Sequence, residues 1–160
     1  MIYLASTRFN KDTWSQNESW KRKNTFDGCV YGTPCMLKDY IIIGSSVIIL
    51  EMHNDLNKIV GIGLIKNKLA LDRRYNIYAW GNYNRYTYKG ARRIDRSECT
   101  KDEELVMFVL DMLMFKGSRH LKRGQGITCL PPWIIDNKHI NFIKKLYDMF
   151  NTRFTDCKIG

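Results

Sequence analysis

No stretch of this 160-residue sequence reaches the roughly 20 unbroken apolar residues that a membrane-spanning helix needs. The longest apolar segments, Tyr40 to Met52 and Leu105 to Phe115, are interrupted by Gly44-Ser45-Ser46 and by Asp111. No membrane is therefore expected among its partners. The first residues reach Arg8 after a brief apolar run, without the n-region and h-region order of a signal peptide, so no export is expected. The five cysteines (Cys29, Cys35, Cys99, Cys129 and Cys157) are odd in number and form no CxxC pair. A domain of this size removes roughly 70% of its unfolded surface from water and stands without bridges. Reduced thiols in the cytoplasm or nucleus are the expectation.

Metal and cofactor signatures are missing too. His53, His120 and His139 lie far apart without a ligand-spaced partner, and Cys29 and Cys35 are separated by five residues, unlike a zinc knuckle. There is no P-loop and no dinucleotide fingerprint. Cys129, just before Pro131-Pro132, is either a nucleophile served by His120 or His139 or a buried structural thiol. Glu103 and Glu104 are accounted for by a helix start. No catalytic residue, metal or cofactor is expected, and the chain reads as a non-enzyme.

Acidic residues are the other shortage: 16 Asp and Glu stand against 26 Lys and Arg, giving a formal net charge of +10. Such an excess speaks of partners rather than fold: nucleic acid, an anionic surface or an acidic protein. With 44% hydrophobic and 26% charged residues the chain is far too apolar for disorder, and 1–160 is read as a single domain. Abundant Ile, Asn and Lys point to an A/T-rich genome, such as that of a large DNA virus, a protist or a low-GC bacterium.

Ile2 to Ser6 reads as an opening strand, and Asn10 to Phe26, polar and basic, as a loop or irregular helix. Gly28, Gly32 and Pro34 punctuate a turn-rich stretch. Val47 to Met52 and Lys58 to Ile65, β-branched on either side of Asn54-Asp55-Leu56-Asn57, predict a β-hairpin. On its returning strand, Gly61 and Gly63 mark a bulge or a place of close backbone approach. The aromatic stretch Tyr75 to Ile94 predicts two further strands. Thr100-Lys101-Asp102-Glu103 fits a capping box ahead of an amphipathic helix that stops at Gly117. A second helix is expected from near Asp136, after a loop from Arg119 to Pro132.

The chemistry concentrates between Lys66 and Arg96. There Lys66, Lys68, Arg73, Arg74, Arg85, Lys89, Arg92, Arg93 and Arg96 meet only Asp72 and Asp95, leaving a net charge of +7. Each phosphate neutralised by such a cluster releases condensed counterions, and interleaved aromatics can stack on bases of any sequence. The alternative is a solvated strand face. Of Trp14, Trp20, Trp80 and Trp133, three sit in polar, loop-like surroundings; two or three such rings either enclose a flat or methylated group or each cap an end of the core. Gly124-Gln125-Gly126, after Lys122 and Arg123, either presents backbone N–H groups to a phosphate or simply connects.

In order and character these parts resemble the PUA-like superfamily, especially its EVE and YTH branches. The resemblance rests on the opening strand, the tryptophan-bearing segment, the Gly-rich stretch, then Gly44-Ser45-Ser46-Val47-Ile48-Ile49-Leu50 and Lys58-Ile59-Val60-Gly61-Ile62-Gly63, and on the basic aromatic strand Arg85 to Ile94. It covers roughly Ile2 to Glu98. The resemblance implies an α+β fold, a small curved β-barrel-like sheet flanked by helices, here with a C-terminal helical extension. It implies RNA or DNA as the partner, held with a modified base in an aromatic cage, N6-methyladenine being one such base. Trp14 or Trp20 would form one wall and Trp80 another, with Tyr31 or Tyr83 at the rim. Lys66, Lys68, Arg73, Arg74, Arg85, Lys89, Arg92, Arg93, Lys122 and Arg123 would hold phosphates. Two other functions remain open: an assembly protein, for example in a virus particle, whose basic face meets a protein partner or packaged genome, and a nuclease of the ASCH type.

Overall fold

The computed structural model describes residues 1–154; Cys157 lies outside them. The fold is mixed α+β, as expected. The centre is β3 (Ser46–His53), every residue of which is buried, hydrogen-bonded in parallel to β1 (Ile2–Phe9) and antiparallel to β4 (Lys58–Lys66). β6 (Arg92–Asp95) pairs with β4, and the two-residue β7 (Thr128–Cys129) pairs with β1. The order β6-β4-β3-β1-β7 is an open sheet that does not close into a barrel. β2 (Cys29–Thr33) and β5 (Tyr86–Gly90) form a separate antiparallel ribbon.

Strand alternation sends side chains to two apolar layers, because successive Cβ atoms point to opposite faces. Leu4, Ile48, Leu50, Ile62 and Leu64 meet the helices α2 (Lys101–Phe115), α3 (Pro132–Ile135) and α4 (Phe142–Arg153) on one face. Ala5, Val47, Ile49 and Ile65 meet the ribbon and helix α1 (Lys11–Lys23) on the other. The hairpin glycines serve both of their expected purposes. Pairing shifts between Glu51↔Gly61 and Met52↔Ile59, a bulge, and a Cβ on Gly63 would come within 2.1 Å of the Tyr31 hydroxyl, so the ribbon crosses β4 at close range.

Two segments differ from expectation. Within Asn10 to Phe26 the chain forms a regular helix, α1 (Lys11–Lys23), started by a capping box between Asn10 and Thr13. Its apolar side is so sparse that the 3.6-residue period is carried by Trp14, Asn17 and Trp20, with Asn17 buried through bonds from its Nδ2 to Val30 O and the Tyr78 hydroxyl. Between Tyr75 and Ile94 the two expected strands are β5 and β6, and Asn84 folds residues 77–84 into a loop by accepting from the N–H groups of Ile77 and Tyr78 and donating to Tyr78 O. The last helix begins at Phe142, capped by Asn141, rather than near Asp136. No helix among the described residues is long and apolar enough to cross a membrane.

Candidate nucleic-acid interface

A cavity of about 260 Å³ opens where β1 ends and α1 begins. One wall is Arg8, Phe9 and the helix start at Asn10 and Thr13. The opposite wall is the loop Lys122–Gly126, and Gly32, Tyr78 and Tyr83 close the ribbon side.

Arg8 builds this cavity. Its guanidinium donates to Leu121 O, Gly126 O (3.1 Å), Ser6 Oγ (3.0 Å) and Thr128 Oγ1 (2.7 Å), tying the loop to the sheet. Burial lowers its pKa to about 10, which leaves it charged at neutral pH. Both loop glycines are required by packing. A Cβ on Gly124 would come within 2.6 Å of the Arg8 guanidinium carbon, and Gly126 has φ +67° with Thr33 Oγ1 directly beside it. Asn54, on the hairpin turn, donates from Nδ2 to Lys122 O (2.9 Å). Its Oδ1 is buried and has no partner, the one such side-chain atom among the described residues. A shielded acceptor of this kind calls for a donor from a ligand or water. From the cavity wall a ladder of edge-on rings runs outward: Tyr78 to Tyr83 (6.2 Å between centroids), then Tyr83 to Trp80 (4.8 Å), with Trp80 56% exposed.

Cations gather in a second region, reached along the chain from Tyr83 to Asn84 and Arg85. Segment 67–76 lies along β5, with Ala70 N–H donating to Thr87 O. Arg73, Arg74 and Arg85 surround one hollow, and Lys66, Lys68 and Lys89 the adjoining one, with Leu69–Leu71 common to both. Arg85 lies over the Tyr86 ring at 5.6 Å, and Arg73 and Lys89 both lie over Tyr75. Asp72 ties the segment down through Lys89 (3.2 Å) and the Tyr75 hydroxyl (2.6 Å). The Tyr75 bond, outweighing a smaller desolvation that raises it, and then Lys89 lower its pKa to about 2.

Several expected site residues stand elsewhere. Tyr31 is 1% exposed and donates to Glu51 Oε1 (2.7 Å), so it has no surface to offer a base. Arg93 is no phosphate ligand in this fold: Glu51 takes its Nε and Nη2 at 2.9 and 2.6 Å, and Asp95 takes Nη1 at 3.0 Å. Burial opposes the charge on Arg93, but Glu51 and Asp95 outweigh it and raise its pKa. Arg92 turns toward the Phe154 ring on the helical side. Trp14 packs against Phe9 and His53 and under Arg93, and Trp20 against Phe26 and Tyr75. Of the five proposed rings, only Tyr83 lines the cavity, with Trp80 one ring further out.

Sequence reasoning missed Arg8, Asn54 and Tyr78. The signal for Arg8 was present: Ser6, Thr7 and Arg8 put three polar residues into a strand whose neighbours are buried. Asn54 read as a turn residue and nothing more. His53 and His120 each accept a local backbone N–H through Nδ1. Among the described residues no group of three or more His, Cys, Asp or Glu gathers as a metal site would. Comparison of the chain with family models, with curated proteins and with solved structures found no match.

Proposed function

We propose that this protein binds nucleic acid and takes a single base, unmodified or modified, into the cavity at the end of β1. One observation carries the reading: a charged Arg8 and Asn54, whose Oδ1 is buried without a partner, line a small cavity with Tyr78 and Tyr83, and Tyr83 is followed in the chain by Asn84 and Arg85 of the first of two adjoining hollows of cations. At about 260 Å³ the cavity falls below the roughly 300–1,000 Å³ of drug-sized pockets, which suits one base rather than a dinucleotide. A base turned out of its stack costs a few kcal/mol, and stacking at about 1–3 kcal/mol per ring can offset it. On entry of a base the Asn54 side chain would turn so that its buried Oδ1 accepts from an exocyclic amine or ring N–H, and Lys122, Arg123, Arg85, Arg73 and Arg74 would take the phosphates on either side. The PUA-like resemblance, which rests on the order and character of the sequence segments from Ile2 to Glu98, accords with this base-binding role.

The test is equilibrium binding of labelled single-stranded RNA and DNA oligonucleotides that differ at one central base. The Tyr83→Ala variant is expected to lose about 5- to 150-fold affinity for the preferred base, the equivalent of about 1–3 kcal/mol, and much less for the others. Equal loss on all oligonucleotides removes the base from the cavity. No binding to any oligonucleotide at low salt moves the basic face to a protein partner.

A further inference from the structure

Helix α2 buries Met107, Leu110, Met114 and Phe115 against the sheet. On its outer side Leu105 is 63% exposed, Phe108 57% and Met112 43%. The spacing i, i+3, i+7 puts these three on one face as a continuous stripe. Single exposed apolar residues are ordinary; three aligned large ones on a well-anchored helix mark a contact surface. The anchoring is strong, because Glu103 is held by Arg153 and Glu104 by Arg96, within a helix started by the Thr100 capping box. Those pairings use up two of the three acids of the first turn. Asp102 is left exposed at one end of the stripe and Lys116 at the other, and neither has an ion-pair partner within the described residues.

From this polarity we infer that the α2 stripe is the seat of a homodimer, with two copies of the helix packed antiparallel about a twofold axis near Phe108. In that arrangement Leu105 of each copy meets Met112 of the other, the two Phe108 rings meet at the axis, and Asp102 faces Lys116 at both ends. A parallel pair would set Asp102 beside Asp102. The contact is isologous, so it closes on itself as a dimer. One fifteen-residue helix per side places it at the low end of stable interfaces, near about 1,200 Å² in total, with a dissociation constant in the micromolar range. α2 lies on the sheet face opposite the β2–β5 ribbon, so pairing leaves the cavity beside Arg8 open. The inference does not depend on what the cavity binds.

Sedimentation velocity of the full chain, without nucleic acid and across the micromolar range, tests it. The expected result is a concentration-dependent dimer that Phe108→Glu weakens at least about a hundredfold, on the scale of a buried interface anchor, with unchanged circular dichroism. Asp102→Lys and Lys116→Asp should each weaken it a few fold, and the double exchange should restore it. A chain that stays monomeric throughout overturns the inference. So does a dimer indifferent to Phe108→Glu, or a double exchange no better than the single ones.

Discussion

Replacing Glu51 by Gln should cost the fold about 3 kcal/mol. The carboxylate is 2% exposed and accepts from Arg93 Nε at 2.9 Å, Arg93 Nη2 at 2.6 Å and the Tyr31 hydroxyl at 2.7 Å. Gln keeps the shape but loses the charge and turns an amide NH2 toward a buried cation. Breaking one partner of a buried pair costs roughly 3–5 kcal/mol, because the remaining charge is left uncompensated. Asp95 still holds Arg93 Nη1, so the lower end applies. For a chain of this size 1 kcal/mol moves Tm by about 2–4 °C, and the expected fall is roughly 6–12 °C. With a urea m-value of about 2 kcal/mol/M the midpoint should drop by about 1.5 M. The double variant Glu51→Gln/Arg93→Met removes both charges and should recover much of the loss. Differential scanning calorimetry and urea titration measure both variants. A Glu51→Gln protein within 2 °C of the parent would show that Arg93 does not depend on Glu51, and would return Arg93 to the pool of possible phosphate ligands.

Further outcomes follow from the same contacts. The slope of log affinity against log salt should fall by about one for each phosphate-contacting cation removed, as with Arg85→Ala or Arg123→Ala, while Arg93→Met leaves it unchanged; fluorescence anisotropy across a salt series reads this. Gly63→Ala should destabilise by about 1–3 kcal/mol, because its Cβ meets the Tyr31 hydroxyl and Cys29 Sγ; the urea midpoint reads it. Asp72 is more acidic folded than unfolded, so its contribution to stability is full above about pH 4 and is lost as pH falls through about 2. In Tyr75→Phe its NMR titration midpoint should move up toward the ordinary value of 3.8.

The hairpin β3–β4 and the start of α2 were legible because local signals decide them: β-branched runs about a turn, and a capping box. α1 was not, because its buried side includes Asn17, whose partners Val30 and Tyr78 come from distant parts of the chain. The cationic surface could be read as a charge density between Lys66 and Lys89. The sequence held no sign that Arg93 would be drawn inward by Glu51, 42 positions away. The aromatics misled for a related reason. Trp14 and Trp20 complete the apolar layer under the ribbon, which is too short to cover the sheet alone, and Tyr31 reaches through the gap at Gly63. The cavity joins residues from positions 8, 54, 83 and 124, and only the fold brings these together.

The most direct measurement of the central claim is a side-chain NMR titration, following the Asn54 amide and the Arg8 Nε–H as a single-stranded oligonucleotide is added. A base entering the cavity predicts saturable shifts at both groups, reversed when Tyr83 is replaced by Ala. Saturable binding that moves only Lys66, Lys68, Arg85 and Lys89, with Asn54 and Arg8 unmoved, would contradict it.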